Sequence, residues 1–283
     1  MFKNLPMIMD GATGTRLQAL GMPAGACTED WIIKNPDKLI QVQRSYVRAG
    51  SQMLYAPTFG AHSVNFKKHG IERSVESMVG ELVELSRHAS EGKALVAGDL
   101  SSTGLLVEPY GDTEPDELFE VFREQAAALE KAGVDLFGIE TQMYLDEAAI
   151  AAGAVRSVSD KPIICSFSCG PTGKSLWGED LANICQELEK FELSAFGVNC
   201  CGDMELLCTV LEGIRRVTDL PLIAKPNAGL PKTLDDGTMA YDMDPEELAK
   251  YAVKFVERGA GLIGGCCGTD GRHIAAIARA LKK

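Results

Sequence analysis

Histidine is scarce in this chain: His62, His69, His88 and His273 are all it has, and none stands in a His-Glu-x-x-His arrangement. A histidine-rich zinc site for activating water, the usual hydrolytic use of that metal, therefore finds no ligand set. Also missing is a Gly-x-Gly-x-x-Gly between a first strand and a first helix, which removes the main support for a dinucleotide-binding open sheet. No run of lysine or arginine offsets the formal net charge of −12, so a phosphate-backbone partner is disfavoured and no nucleic-acid binding is expected. No uninterrupted apolar stretch approaches the ~18 residues of a membrane span, and none is expected. The opening Met1-Phe2-Lys3-Asn4-Leu5-Pro6 lacks the layout of a signal peptide. Nine cysteines, an odd number, then point to a reducing cytoplasm rather than a disulfide framework. No low-complexity linker divides the chain, so a single domain over residues 1–283 is expected.

What is present is a regular alternation of short apolar runs and longer amphipathic stretches. The apolar runs end near Asp10, Thr58, Asp99, Glu140, Ser168, Cys200, Asn227 and Cys266. Several, such as Lys161-Pro162-Ile163-Ile164-Cys165 and Pro221-Leu222-Ile223-Ala224, are almost wholly apolar, as strands of a parallel sheet covered by helices must be. Between them the spacing predicts helices, among them 115–131 and 245–258. The second opens Asp244-Pro245-Glu246-Glu247, an N-cap followed by proline at the first helical position and acids in the first turn. Leu248, Ala252, Phe255 and Val256 then fall on one face. Eight strands spaced for intervening helices fit a (β/α)8 TIM barrel better than a doubly wound sheet.

In a barrel the C-terminal strand ends converge on one pocket. Asp10, Glu140, Asn199, Cys200, Asn227, Cys266 and Cys267 all stand where a strand gives way to its loop. Cys266 and Cys267 lie within Gly264-Gly265-Cys266-Cys267-Gly268-Thr269. Neighbouring side chains on a strand point to opposite faces, so two adjacent thiols share a centre only if the strand breaks there. Glycine supplies that break. A third thiolate, from the distant Asn199-Cys200-Cys201, would complete three ligands to a tetrahedral zinc and leave one position open. Cys27, Cys165, Cys169, Cys185 and Cys208 read as small apolar fillers or surface thiols, and His273 as part of the last helix or its entrance.

The segments Asp10-Gly11-Ala12-Thr13-Gly14-Thr15, Thr58-Phe59-Gly60-Ala61, Gly98-Asp99-Leu100 and Ile139-Glu140-Thr141 come in a telling order. They are followed by Gly197-Val198-Asn199-Cys200, Lys225-Pro226-Asn227-Ala228-Gly229 and the Gly-Gly-Cys-Cys-Gly loop. Together they resemble the homocysteine S-methyltransferase family, in particular the homocysteine-binding module of cobalamin-dependent methionine synthases. The resemblance implies a (β/α)8 barrel with zinc on Cys200, Cys266 and Cys267. Cys201 adjoins Cys200 and competes for the place; the family's ligand follows the asparagine directly, which favours Cys200. It further implies that Asp10 and Glu140, with Thr141 beside them, hold the amino-acid end of a thiol substrate, whereas Asp10 could alternatively only cap its turn. Asn227 could donate to a substrate carboxylate or satisfy loop backbone. The sequence departs from the family pattern at Pro57, where relatives often carry asparagine. A second departure is Asp270-Gly271-Arg272-His273, which replaces a common Thr-Pro-x-His.

The expected activity is zinc-dependent methyl transfer to homocysteine, giving methionine. The chain ends at Lys283, soon after its last helix, so no folate or cobalamin module is expected within it. A separate corrinoid protein is then the expected donor, with betaine or S-methylmethionine as alternatives. Methyl transfer to another thiol and a non-catalytic zinc protein are the remaining alternatives.

Overall fold

The apolar runs become the staves of a barrel in the computed structural model, which describes Phe2, residues 4–234 and residues 239–282. The barrel strands are β1 (Met7–Ile8), β2 (Met53–Tyr55), β3 (Leu95–Ser101), β4 (Leu136–Gln142), β5 (Ile163–Phe167), β6 (Ala195–Asn199), β7 (Leu222–Lys225) and β10 (Ala260–Ile263). They are parallel and hydrogen-bonded in the order β1-β10-β7-β6-β5-β4-β3-β2. A small antiparallel hairpin, β8 (Lys232–Thr233) with β9 (Met239–Ala240), lies between β7 and the next helix. No pattern in the sequence announces it.

No strand ladder joins β1 to β2. The seam is closed instead by a few individual bonds. Gln52 N–H donates to the Ile8 carbonyl at 2.7 Å, Ile8 N–H to the Gln52 side-chain oxygen at 3.1 Å, and the Ser51 hydroxyl to the Met9 carbonyl at 3.0 Å. At the upper end the Tyr55 N–H donates to an Asp10 carboxylate oxygen at 2.8 Å.

Eleven helices are present among the described residues. They are α1 (Gly14–Ala19), α2 (Thr28–Lys34), α3 (Pro36–Ala49), α4 (Ser63–His69), α5 (Val75–Ser90), α6 (Pro115–Lys131), α7 (Leu145–Arg156), α8 (Leu181–Leu188), α9 (Met204–Arg215), α10 (Pro245–Glu257) and α11 (Gly271–Leu281). Helix α6 matches its sequence prediction residue for residue, and α10 ends one residue earlier than expected. Asp244 caps α10 by accepting from Glu246 N–H at 2.9 Å, as its sequence pattern predicts. The Asp270–His273 departure from the family pattern is a capping box that starts α11. His273 also contacts the Met243 carbonyl at 3.0 Å, so it belongs to the helix entrance, as expected. None of the helices is long and apolar enough to cross a membrane.

Two apolar bodies result. One fills the space between strands and helices; the other plugs the barrel axis, where Met9, Met53, Ala97, Leu136, Ile164, Ala195, Ile223 and Leu262 meet. Because strand side chains alternate, residues two positions further along these strands also face inward. They are Tyr55, Asp99, Gly138, Ser166, Gly197 and Lys225. A polar layer thus sits directly on the apolar plug. Gly138 has no room for a side chain, since a Cβ there would overlap the Tyr55 ring.

Candidate metal centre and substrate pocket

Above the plug, a cavity of about 320 Å³ opens at the C-terminal ends of the strands, at the small end of the ~300–1,000 Å³ common for ligand sites. Asp10, Glu140 and Thr141 line it together with Cys200, Cys266 and Cys267. Asn227 does not. It is buried nearby, its N–H donating to the Cys201 carbonyl at 2.9 Å and its side-chain oxygen having no partner. The structure therefore brings together every sequence-predicted site residue except Asn227.

The sulfurs of Cys200, Cys266 and Cys267 all lie within 4.8 Å of one another. Ligands about 2.3 Å from a tetrahedral zinc stand roughly 3.8 Å apart, so this trio fits such an ion with little adjustment. Two backbone devices assemble it. Cys200 has φ +57°, a left-handed conformation that costs an ordinary residue about 1–2 kcal/mol. That turn sends Cys200 to the other two thiols and its neighbour away: Cys201 is buried and donates to the Asp203 carbonyl at 3.4 Å. In the Cys266–Thr269 turn, Thr269 N–H and hydroxyl both donate to the Cys266 carbonyl, at 3.1 and 2.7 Å. Gly268 there has φ +80° and lies hard against Tyr241, leaving no place for a side chain. Thr269 and Thr15 tie this turn to the Asp10–Thr15 loop by accepting from Ala12 N–H and Gly268 N–H, both at 3.1 Å. Hydrogen bonds from the thiols of Cys200 and Cys266 and from the Tyr241 hydroxyl pull the Cys267 thiol well below its ordinary range.

Asn199 laces the site across the barrel. Its amide donates to the Thr141 hydroxyl at 2.6 Å, while its oxygen accepts from Thr141 N–H at 3.1 Å and from the Ser166 hydroxyl at 2.9 Å. Thr141, like Cys200, has φ +57°. Two of these bonds hold the left-handed Thr141 in place, a pattern typical of functional sites.

The pocket floor holds a residue that sequence reasoning passed over. Lys225 is buried on β7, with its ammonium 3.2 Å from Asp10, 2.9 Å from Glu140 and 3.9 Å from the centroid of the Tyr55 ring. Burial pulls the Lys225 pKa down, but Asp10 and Glu140 more than offset it, so the ammonium stays charged. Burial raises both carboxyls against the pull of Lys225, Glu140 to about 7. Asp99, also on the floor, is raised well above the usual carboxylate range, by burial and then by Glu140. Lys225, Asp99 and Tyr55 are the missed site residues. The available signal was alternation: Ile223 and Ala97 read as interior, which places Lys225 and Asp99 inside as well.

Of the other cysteines, Cys27, Cys165, Cys185 and Cys208 are buried, as expected for fillers, and Cys169 is half-buried. Phe59 lines the cavity at its mouth. Apart from Leu5 and Val253, every exposed large apolar side chain among the described residues lies in a connection between the C-terminal end of a barrel strand and the next helix. On this rim Tyr110 stacks on Trp177 with ring centroids 4.5 Å apart.

Comparison with known proteins gives the same architecture a lineage. The chain is 27% identical to a methionine synthase of Mycobacterium tuberculosis and 26% identical to that of Mycobacterium leprae, over 97% and 98% of its own length. It spans about a quarter of the length of these curated relatives, 24% in each case. Among solved structures, the metallated form of the homocysteine methyltransferase MmuM from Escherichia coli superposes with a TM-score of 0.83 at 27% identity, covering 98% of this chain and 97% of that one. Pyruvate carboxylase from Rhizobium etli, at 15% identity and a TM-score of 0.54 over 93% of this chain and 21% of that one, shares the fold alone. The homocysteine S-methyltransferase family model matches residues 7–281. From the Asp10 loop to the cysteine turn, the chain belongs to the homocysteine S-methyltransferase family.

Proposed function

We propose that the chain moves a methyl group onto the sulfur of homocysteine, giving methionine, in a zinc-dependent reaction whose methyl group comes from a separate corrinoid protein. The observation that carries this reading is the meeting of three sulfurs with a carboxylate-lined cavity in one barrel mouth. Cys200, Cys266 and Cys267 would hold the zinc, and when bound it would favour deprotonation of the acceptor thiol and fix the position of its sulfur. Free thiols, with a pKa of about 8.5, offer only a few per cent of thiolate at neutral pH. Three thiolates would exceed the ion's charge by one, which would keep electron density on the acceptor sulfur. That sulfur attacks the methyl carbon, the new C–S bond forms, and the bond to the donor breaks with its electron pair left on the donor. The pocket contributes alignment, since Glu140 and Thr141 line the same cavity as the cysteines and can grip the acceptor's far end.

The apolar rim favours a protein donor, because a small donor entering the cavity has no need of exposed aromatic and aliphatic side chains on the surrounding loops. A second reading has its own support. The likeness to MmuM covers nearly the whole of both chains, so a small donor such as betaine or S-methylmethionine could enter directly.

Methionine formation by zinc-loaded protein, with methylcobalamin, methyltetrahydrofolate, betaine and S-methylmethionine compared as donors, separates these. Turnover with methylcobalamin alone supports the corrinoid route, and turnover with a small donor replaces it. No methionine from any of them, despite bound zinc, would point to another acceptor thiol or to a donor protein that free methylcobalamin does not replace. Cys266→Ala should lose zinc and activity while keeping its circular dichroism; full zinc content in that variant would reject the ligand set.

A further inference from the structure

Resting on this reading of the pocket, we infer that Asp99 is a specificity-determining residue that accepts the ammonium group of the amino-acid thiol, sharing with Glu140 a task for which Asp10, bonded through both oxygens, has less capacity left. The argument begins with what each carboxylate already does. One Asp10 oxygen accepts the Tyr55 N–H at 2.8 Å and closes the barrel seam, while the other accepts Lys225 at 3.2 Å. Glu140 gives one oxygen to Lys225 at 2.9 Å. Lys225 is itself fully engaged, with Asp10, Glu140 and the Tyr55 ring around its ammonium.

Asp99 differs from both. It lines the cavity, is only 4% exposed, and has a buried Oδ1 without a hydrogen-bond partner among the described residues. Its backbone is clamped from outside. Asp99 N–H donates to the Thr58 hydroxyl at 3.0 Å, and the Asp99 carbonyl accepts from Thr58 at 2.9 Å and from Gln125 at 3.3 Å. The main chain is therefore fixed with the side chain turned inward, on the same face as Ala97. An unmet buried acceptor is costly, and native proteins keep few of them. Here the missing partner is a donor that arrives with a ligand. The pocket offers at its floor an unsatisfied Asp99 oxygen and the second oxygen of Glu140, acceptors without a donor. That arrangement calls for a group with several N–H bonds and positive charge, which an α-ammonium supplies and a plain thiol acid does not.

The test compares zinc-loaded wild type with Asp99→Asn and Asp99→Ser, using equilibrium binding of L-homocysteine and of 4-mercaptobutyrate, which keeps the thiol and carboxylate but has no ammonium. Zinc content and thermal melting identify any variant that fails to fold, and the other variant then carries the comparison. The expected result is a loss of about tenfold or more in homocysteine affinity, with mercaptobutyrate affinity within about twofold of wild type. Unchanged homocysteine binding, or an equal loss for both ligands, would overturn the inference while leaving the methyl-transfer reading intact. Wild-type protein that binds 4-mercaptobutyrate as tightly as homocysteine would also overturn it. If wild type binds neither thiol, the reading of the site fails and the inference fails with it.

Discussion

At the scale of single residues, the site is governed by a lysine surrounded by acids. A buried ion pair contributes little net stability over an apolar replacement, but removing one partner leaves the others charged and unpaired, at a cost of about 3–5 kcal/mol. Lys225→Met should therefore destabilise the fold by that amount in chemical denaturation; a loss under about 1 kcal/mol would mean that the carboxyls simply take up protons and need no ammonium. The same scale shows why some of the site was hidden in the sequence. Cys200 and Cys201 are chemically identical neighbours, and only the left-handed backbone at Cys200 brings one of them to the sulfurs of Cys266 and Cys267. Lys225 ends an apolar run, where by its type alone it reads as a solvated end of strand; its burial follows from a register that needs all eight strands in place.

At the scale of elements, local signals and structure agree where caps are concerned. Pro115, Asp244 and Pro245 start their helices where their residue types say they should. His62 is a less familiar cap. Its ring nitrogen accepts the Asn65 N–H at 3.3 Å at the start of α4, and burial holds its pKa down to about 4 from an unfolded value near 6.5. A histidine with a depressed folded pKa contributes stability that is fully present above pH 6.5 and is lost as the pH falls through 4. Over that window the loss should be roughly 3 kcal/mol. His62→Asn keeps a capping oxygen without the titration, so its unfolding free energy should fall less steeply between pH 6.5 and 4. Parallel slopes for the two proteins would remove His62 from the acid response. Elements with weak local signals were not legible: the β8–β9 hairpin has two residues in each strand, too few for a periodic pattern.

At the scale of the whole molecule, the eightfold alternation predicted the barrel because each strand is an apolar run followed by a polar end. How the barrel closes was not legible, since the β1–β2 seam depends on the Gln52 side chain rather than on a ladder. Gln52→Leu should cost about 1 kcal/mol and speed amide exchange at Ile8, measured by NMR; unchanged protection at Ile8 would show that the seam does not need this bond. The apolar plug described above carries a consequence for timing. With Met9, Leu136, Ile223 and their neighbours filling the axis below the pocket, the cavity is blind, and in the proposed transfer both reactants enter through one doorway. The partner seated on the floor has to arrive first, and its product has to leave last, after the bulkier visitor at the mouth has withdrawn. Steady-state kinetics should then be sequential and ordered, with the acceptor thiol leading.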